Sequence, residues 1–209
     1  MPLTNPPPDT LAGLSLDEVS RIVAEGRMPP VDRWHPDHCG DSEMVILSDG
    51  RWLHQGSPIT RPALVRLFST ILRREADGSH VLVTPGEKLT IAVADAPFVA
   101  VEMTSEGEGE ARRLAFRTNV GDLVVAGPDH PLTVADRGAG THPYLRVRGG
   151  LEALVARPVY YELANFAIDA PPGPGNAIGL WSDGAFFALG TPDGPGDGSG
   201  DGDGDDRTA

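Results

Sequence analysis

The residues best suited to chemistry lie in one short stretch, His35-x-x-His38-Cys39-x-Asp41. Imidazole, thiolate and carboxylate groups all bind zinc, so this stretch is a candidate metal site. Against it, the adjacent His38 and Cys39 would have to fold back on themselves to share one ion, and no second His or Cys pair stands at ligand spacing. The favoured interpretation is a loop in which Cys39 is a small buried hydrophobe.

Cys39 is the only cysteine of the chain, so an intrachain disulfide is impossible. A catalytic thiol would need a neighbouring base. The chain has six histidines, so a histidine base for Cys39 can always be imagined. The presence of Cys39 is therefore weak evidence for a catalytic thiol. The chain also lacks a phosphate-binding glycine loop, a Gly-x-Ser-x-Gly elbow and a His-Glu-x-x-His motif. No catalytic residue, metal or cofactor is therefore predicted.

Several charged residues stand beside turn signals instead. Asp49 and Asp95 are of this kind, and an aspartate at a turn commonly bonds to its own backbone. Glu87 and Lys88 follow Pro85-Gly86 and are typical of a solvated hairpin turn. They would join a binding site only if that turn faces the other half of the molecule.

Alternating apolar patterns and turn residues predict a chain made mostly of strands. The predicted hairpins cover 44–48 with 51–55, 80–84 with 89–93, 144–148 with 151–156, and 177–182 with 185–189; single strands are predicted at 98–103, 112–118 and 123–126. Three helices are predicted, the first capped by Ser15 and ended by Gly26.

The second predicted helix is the clearest in the chain. Leu64, Leu67, Phe68, Ile71 and Leu72 recur at helical spacing, which predicts one buried face. Its opposite side would carry three arginines, namely Arg66, Arg73 and Arg74. The third predicted helix begins at Pro158.

The order hairpin, helix, hairpin occurs twice, which predicts an α+β fold of mostly antiparallel sheets with internal duplication. Four segments are expected: a disordered N-terminus (1–12), an N-terminal α+β domain (13–97), a β-rich C-terminal domain with one helix (98–192), and a disordered acidic Gly/Asp tail (193–209). The two end segments are too polar to bury an apolar core.

The formal net charge of −13 bears on partners. Nucleic acids and anionic membranes bind cationic surfaces, so neither is an expected partner. The most apolar stretch, 89–101, is too short to span a bilayer, and the N-terminus lacks a signal-peptide pattern. These features predict a soluble cytoplasmic protein.

Several motifs in one order carry a family resemblance. They are Trp34-x-Pro36-x-x-Cys39-Gly40-Asp41, Asp49-Gly50-Arg51-Trp52-x-x-x-Gly56-Ser57-Pro58-Ile59-x-Arg61, Leu67-Phe68-Ser69, Leu82-Val83-Thr84-Pro85-x-Glu87-Lys88 and Asp95-Ala96-Pro97-Phe98. Together they resemble the proteobacterial family called domain of unknown function 1285, over about residues 14–189. The resemblance implies a duplicated α+β fold, a C-terminal half similar to a pleckstrin-homology domain, and a site between the halves. It also implies a role in signal transduction, and it assigns no catalytic residues.

The favoured function is a non-enzymatic module that binds a small molecule or a protein partner between its halves. The residues expected at that site are Trp34, Asp49, Trp52, Arg61, Glu87, Lys88 and Asp95. Two alternatives stay open: a hydrolase that uses Cys39 or a metal near His35 and His38, and an oligomeric scaffold that pairs through exposed strand edges.

Overall fold

The computed structural model describes residues 28–138 and 140–190. The helix predicted before Gly26, the N-terminal segment 1–12 and the acidic tail 193–209 lie outside these residues. Neither α-helix of the described part is long and apolar enough to cross a membrane.

The first sheet contains six strands. They are β1 (Cys39–Ile46), β2 (Trp52–His54), β3 (Ser57–Pro58), β4 (Leu72–Arg74), β5 (His80–Val83) and β6 (Lys88–Val93). Their order across the sheet is β3-β2-β1-β6-β5-β4, and the central β1–β6 pair is parallel. Helix α1 (Pro62–Thr70) lies in the connection from β3 to β4.

The second sheet also contains six strands. They are β7 (Phe98–Glu106), β8 (Arg113–Thr118), β9 (Leu123–Val125), β10 (Leu132–Asp136), β11 (Thr141–Arg148) and β12 (Leu151–Val155), in the order β10-β11-β12-β7-β8-β9. Helix α2 (Arg157–Asp169) follows, and β13 (Ile178–Ser182) pairs with β14 (Ala185–Gly190) as a separate hairpin.

The duplication is visible in the topology of the two sheets. Each sheet consists of two three-stranded meanders. The first strand of the first meander pairs in parallel with the last strand of the second, β1 with β6 in one sheet and β7 with β12 in the other. The repeated unit differs from the predicted hairpin–helix–hairpin, because α1 interrupts the first sheet whereas α2 follows the second. Strand order along the chain does not reveal this, since distant parallel pairing decides which strands meet.

Strand β1 corrects the interpretation of residues 39–41 as a loop. Cys39, Gly40 and Asp41 pair with residues 88–90 at the start of β6. These partners are distant in sequence, so no local pattern predicts the strand. The thiol of Cys39 is exposed rather than buried.

The predicted buried face of α1 is also wrong in part. Leu64 is 36% exposed and Leu67 is 57% exposed, whereas Leu72 lies in β4 and is buried. The helix ends at Thr70, so the last position of the apolar pattern belongs to a strand. Phe68 does face inward, where its ring stacks on Trp52 with 6.4 Å between centroids.

The other predicted strands and both described helices are confirmed within a few residues, but β3, β4 and β10 were not predicted. One cluster of buried side chains joins the two sheets, with Ile46 and Trp52 from the first and Phe98, Phe116 and Leu145 from the second. The halves therefore share one hydrophobic core.

Candidate functional site

A turn of the second sheet meets an edge strand of the first. Gly149 and Gly150 form the two-residue turn from β11 to β12, both with positive φ (48° and 77°). Glycine suits this turn because side-chain-bearing residues rarely adopt such angles. Arg74, at the end of β4, reaches the turn, and its Nη1 donates a 3.3 Å hydrogen bond to the carbonyl oxygen of Gly150.

A small cleft of about 290 Å³ opens at this contact. Its walls come from both halves. They are Arg74, Glu75, Ala76 and Gly78 on the first sheet's side and Gly149 and Gly150 on the second.

A larger cleft of about 320 Å³ adjoins it. It is lined by Asp32, His35, Pro36, Arg73, Arg74, Glu75, Ala76 and Lys88. Because both clefts share Arg74, Glu75 and Ala76, we treat them together as the β4 groove.

Arg73 fixes the wall of the larger cleft. Its Nη1 donates 2.8 Å hydrogen bonds to the carbonyl oxygens of Val31 and Trp34, which hold the segment before β1 against β4. Its guanidinium also pairs with Glu75, with 2.6 Å between Nη2 and Oε1. Arg73 is thus committed to internal contacts, and its charge is balanced by that carboxylate.

The side chain of Lys88 also lines the larger cleft, and unlike Arg73 it is not held by other groups that the structure describes. It is the only lysine of the chain and the first residue of β6, and it is half-buried. Among the described residues its ammonium group makes neither a hydrogen bond nor an ion pair. Asp77 feels its charge weakly: the pKa of that carboxyl is lowered mainly by hydrogen bonds from Ser79, and Lys88 is the smallest contribution.

His80 lies beside the groove, opposite Arg74 in the β4–β5 ladder. Burial is the main reason that the pKa of His80 lies below its usual value, and the Arg74 guanidinium lowers it further. The Glu152 carboxylate acts in the opposite direction. Burial, assisted by the Arg74 guanidinium, therefore favours the neutral form of His80.

A second polar cluster links the segment between the sheets to the second sheet. The Tyr144 hydroxyl donates to Asp95, with 3.1 Å to each carboxylate oxygen, and the Arg137 guanidinium lies 3.7 Å from the Tyr144 ring centroid. Arg137 also pairs with Glu152 at 2.6 Å. Burial and the Asp95 contact raise the pKa of Tyr144 to about 12. These groups bind one another, which suits a structural role.

The seven predicted site residues have different surroundings. Lys88 lines the larger cleft, the Trp34 carbonyl binds Arg73, and Asp95 binds Tyr144. Asp49 binds Arg51 in an exposed turn, and Arg61 and Glu87 are exposed at the start of α1 and before β6. Trp52 is a core residue whose indole N–H has no hydrogen-bond partner among the described residues.

The sequence pattern does not predict Arg73 and Arg74 as groove residues, because helical spacing places both on the polar side of the preceding helix. Strand β4 is only three residues long and follows α1 almost directly. A strand of that length carries too few residues for alternation to be recognised. His35 is a candidate metal ligand by its spacing, and in the structure it lines the larger cleft.

The metal hypothesis gains no support from the geometry. Within residues 28–138 and 140–190, no three His, Cys, Asp or Glu side chains lie close enough to hold an ion.

Two six-stranded sheets of the same strand order, with one helix in the first and one after the second, define a duplicated α+β protein. The family model described as "Domain of unknown function (DUF1285), N-terminal domain" matches residues 29–96, and that described as "Protein of unknown function (DUF1285), C-terminal domain" matches residues 97–189. The chain belongs to the DUF1285 family, which confirms the resemblance. No curated protein matches it.

Solved structures of the same family are similar to this chain. The crystal structure of a DUF1285 family protein from Silicibacter pomeroyi DSS-3 has a TM-score of 0.73 and 43% sequence identity, over 86% of this chain and 97% of that chain. The crystal structure of a DUF1285 family protein from Shewanella baltica OS155 has a TM-score of 0.47 and 25% identity, over 59% of this chain and 91% of that chain.

Proposed function

We propose that this protein is a non-enzymatic binding module whose ligand occupies the β4 groove between the two halves. One observation carries the proposal: Arg74 of the first sheet and the Gly149–Gly150 turn of the second line the same cleft and contact each other. Clefts between domains are a common location of ligand sites.

A ligand in this groove would touch both halves at once. Its binding energy would then favour the arrangement in which Arg74 and Gly150 are close, because a ligand stabilises the state that binds it better. Such coupling is what a regulatory module needs. A role in signal transduction and the pleckstrin-homology likeness of the C-terminal half rest on the family resemblance and stay predictions.

The proposal keeps the division of the chain near residue 97 and, of the seven predicted binding residues, it assigns Lys88 to the groove. The other six have the contacts described above, and their part in ligand binding stays a prediction.

Thermal unfolding of the whole chain with a panel of small metabolites tests the proposal. A ligand that binds only the native state raises Tm, by about 5 to 10 °C at a hundredfold excess over Kd for a chain of this size. We expect at least one compound to do so with the unaltered chain.

The variant Ala76→Trp locates the site. Ala76 is exposed and lines both clefts, so an indole there would fill the groove without disturbing the core. We expect the ligand-induced shift in Tm to disappear. Ala111→Trp is the matched control, because Ala111 is also an exposed alanine in a connection between strands, at the end of a short 3-10 helix, and lines neither cleft. An undiminished shift in Ala76→Trp would overturn the proposal.

A further inference from the structure

We infer that the larger cleft binds an oxyanion, a phosphate or carboxylate group carried by a small molecule, through Lys88 and Arg74. The inference rests on the proposed function, since this cleft is the larger part of the β4 groove, and it names the chemistry of the ligand.

The charges of the lining favour an anion. Glu75 is neutralised by its 2.6 Å pair with Arg73. Two cations, Lys88 and Arg74, then share the lining with the Asp32 carboxylate, which is exposed and pairs with no residue that the structure describes. The charged side chains of the lining thus sum to +1, on a chain whose formal net charge is −13. Asp77, which also feels Lys88, is not part of the lining and accepts hydrogen bonds from Ser79. A local site of opposite sign attracts anions that the rest of the surface repels.

The hydrogen-bond donors of the cleft are mostly unused. A guanidinium has five N–H donors, yet the only hydrogen bond that Arg74 makes with a described residue is the 3.3 Å contact to Gly150. Lys88 has three donors, and none of them binds a described residue. An oxyanion could accept from both side chains, and charge-assisted hydrogen bonds of this kind are the strong ones. The ring of His35 adds a further polar group to the lining.

The composition of the chain singles out Lys88. Its cationic side chains are 16 arginines and this one lysine. A half-buried ammonium that lines a cleft interacts with a bound anion more strongly than a fully solvated one, because less water screens the pair. The volume of about 320 Å³ suits a small ligand or the acidic end of a larger one that continues into the smaller cleft.

Titration calorimetry with inorganic phosphate and with citrate tests the inference and separates the two sources of the anion. Ionic strength is held constant with NaCl. We expect saturable binding of at least one of them to the full chain. Lys88→Met and Arg74→Met should each weaken it about tenfold or more, the loss of one charge-assisted hydrogen bond. Lys88→Arg, which keeps the charge, should retain most of the affinity. Arg157→Met is the control, because Arg157 is an exposed arginine of α2.

Pyridoxal phosphate provides a second readout that does not depend on stability. Its aldehyde condenses with the Lys88 amine to an imine and releases water. Borohydride then delivers hydride to the imine carbon, water supplies the proton, and a stable secondary amine forms. Lys88 is the only side-chain amine, so peptide mapping separates its labelling from that of the N-terminus. We expect labelling of Lys88 that phosphate or citrate suppresses in proportion to its occupancy.

The outcomes distinguish this inference from the proposed function. If Ala76→Trp abolishes binding of a neutral compound while neither anion binds, the binding module stands and the oxyanion site is overturned. If phosphate and citrate neither bind nor protect Lys88, and Ala76→Trp changes nothing, both are overturned. Saturable anion binding that Lys88→Met weakens and Lys88→Arg preserves supports both.

Discussion

The Nη2 of Arg148 donates a 2.8 Å hydrogen bond to the carbonyl oxygen of Ser69. Arg148 ends β11 of the second sheet and Ser69 lies in the last turn of α1, so this bond joins the two halves. The last carbonyls of a helix lack the usual i+4 partners and carry partial negative charge. The Ile71 N–H at the C-cap is directed at the carbonyls of Phe68 and Ser69, and the Arg148 guanidinium adds a charged donor to the latter. The same side chain pairs with Asp122 and lies 4.8 Å from the Phe98 ring centroid.

Replacement of Arg148 by methionine should lower the free energy of unfolding by about 2 kcal/mol. Methionine keeps the apolar stem but leaves the carbonyl of Ser69 and the carboxylate of Asp122 without this partner. Both groups are largely shielded from water, since Ser69 is 2% exposed and the Asp122 side chain is 15% exposed. Urea unfolding followed by circular dichroism measures the change.

The control for this prediction is Arg51→Met. Arg51 pairs with Asp49 at 2.6 Å, but the two side chains are 65% and 51% exposed. Exposed pairs contribute little, so we expect a change within about 0.5 kcal/mol. Equal effects of the two substitutions would contradict the role given to Arg148.

Any side chain at position 50 should destabilise the folded protein. A Cβ there would lie 2.5 Å from Nδ2 of Asn119 and 3.0 Å from Cγ2 of Val99, and φ is +83°. Asn119 cannot retreat freely, because its side chain accepts from the Val99 amide and donates to the Gly50 carbonyl. We expect Gly50→Ala to cost about 3 kcal/mol, from backbone strain and overpacking together. Thermal and urea unfolding both report this.

Gly56→Ala separates those two causes. Gly56 also has positive φ (76°), but nothing lies within 4 Å of the position that an alanine methyl group would occupy there. Only the backbone strain remains, and it should cost about 1 kcal/mol. If the two alanine variants were equally stable, steric contact between the halves at Gly50 would be ruled out.

His80 should make stability depend on pH in a defined window. Its pKa in the folded protein is lower than the ordinary value of 6.5 because of burial and the nearby Arg74. The unfolded chain therefore binds a proton first as the pH falls below about 6.5, and stability decreases until the folded-state pKa is reached. The neutral variant His80→Gln should lack this component.

The measurement is the free energy of unfolding as a function of pH from about 7.5 downwards, for the unaltered chain and for His80→Gln. The difference between the two curves isolates His80 from the carboxylates. We expect the unaltered chain to lose more stability on acidification. A constant difference across the window would refute the prediction.

Substitutions at Leu67 and Leu72 should differ sharply in their effect on stability, although both leucines belong to the same apolar pattern in the sequence. Leu67 is 57% exposed and Leu72 is 1% exposed. Leu67→Gln should change stability by at most about 0.5 kcal/mol, whereas Leu72→Ala should cost about 2 to 5 kcal/mol through lost burial and a cavity. A large loss in Leu67→Gln would instead indicate that this leucine is covered in solution.

Local sequence patterns are sufficient to predict the elements whose pairing partners are near in sequence. The β5–β6 and β11–β12 hairpins and the start of α2 at Arg157-Pro158 follow from turn residues and a proline in the first helical turn. The extension of β1 to Cys39 could not be predicted, since residues 39–41 become a strand only by pairing with β6. Tertiary contacts of this kind override local preference.

The candidate site was less predictable than the fold. The turn residues before β6 predict Lys88 as a binding residue, but its position in the larger cleft depends on the pairing of β6 with β1 and β5. Arg74 reaches Gly150 across the two halves, a contact between residues 76 positions apart. The residue types along the sequence do not by themselves reveal a site that is assembled from such distant segments.

The parallel pairing of first and last strands has a consequence for synthesis on the ribosome. Strand β1 cannot complete its pairing until β6 has emerged, and β7 waits in the same way for β12. Pairing of this kind is slow because a long loop must close first. The nascent chain would therefore expose unpaired strand edges while each half is being made, and the first half can close its sheet before the second is translated.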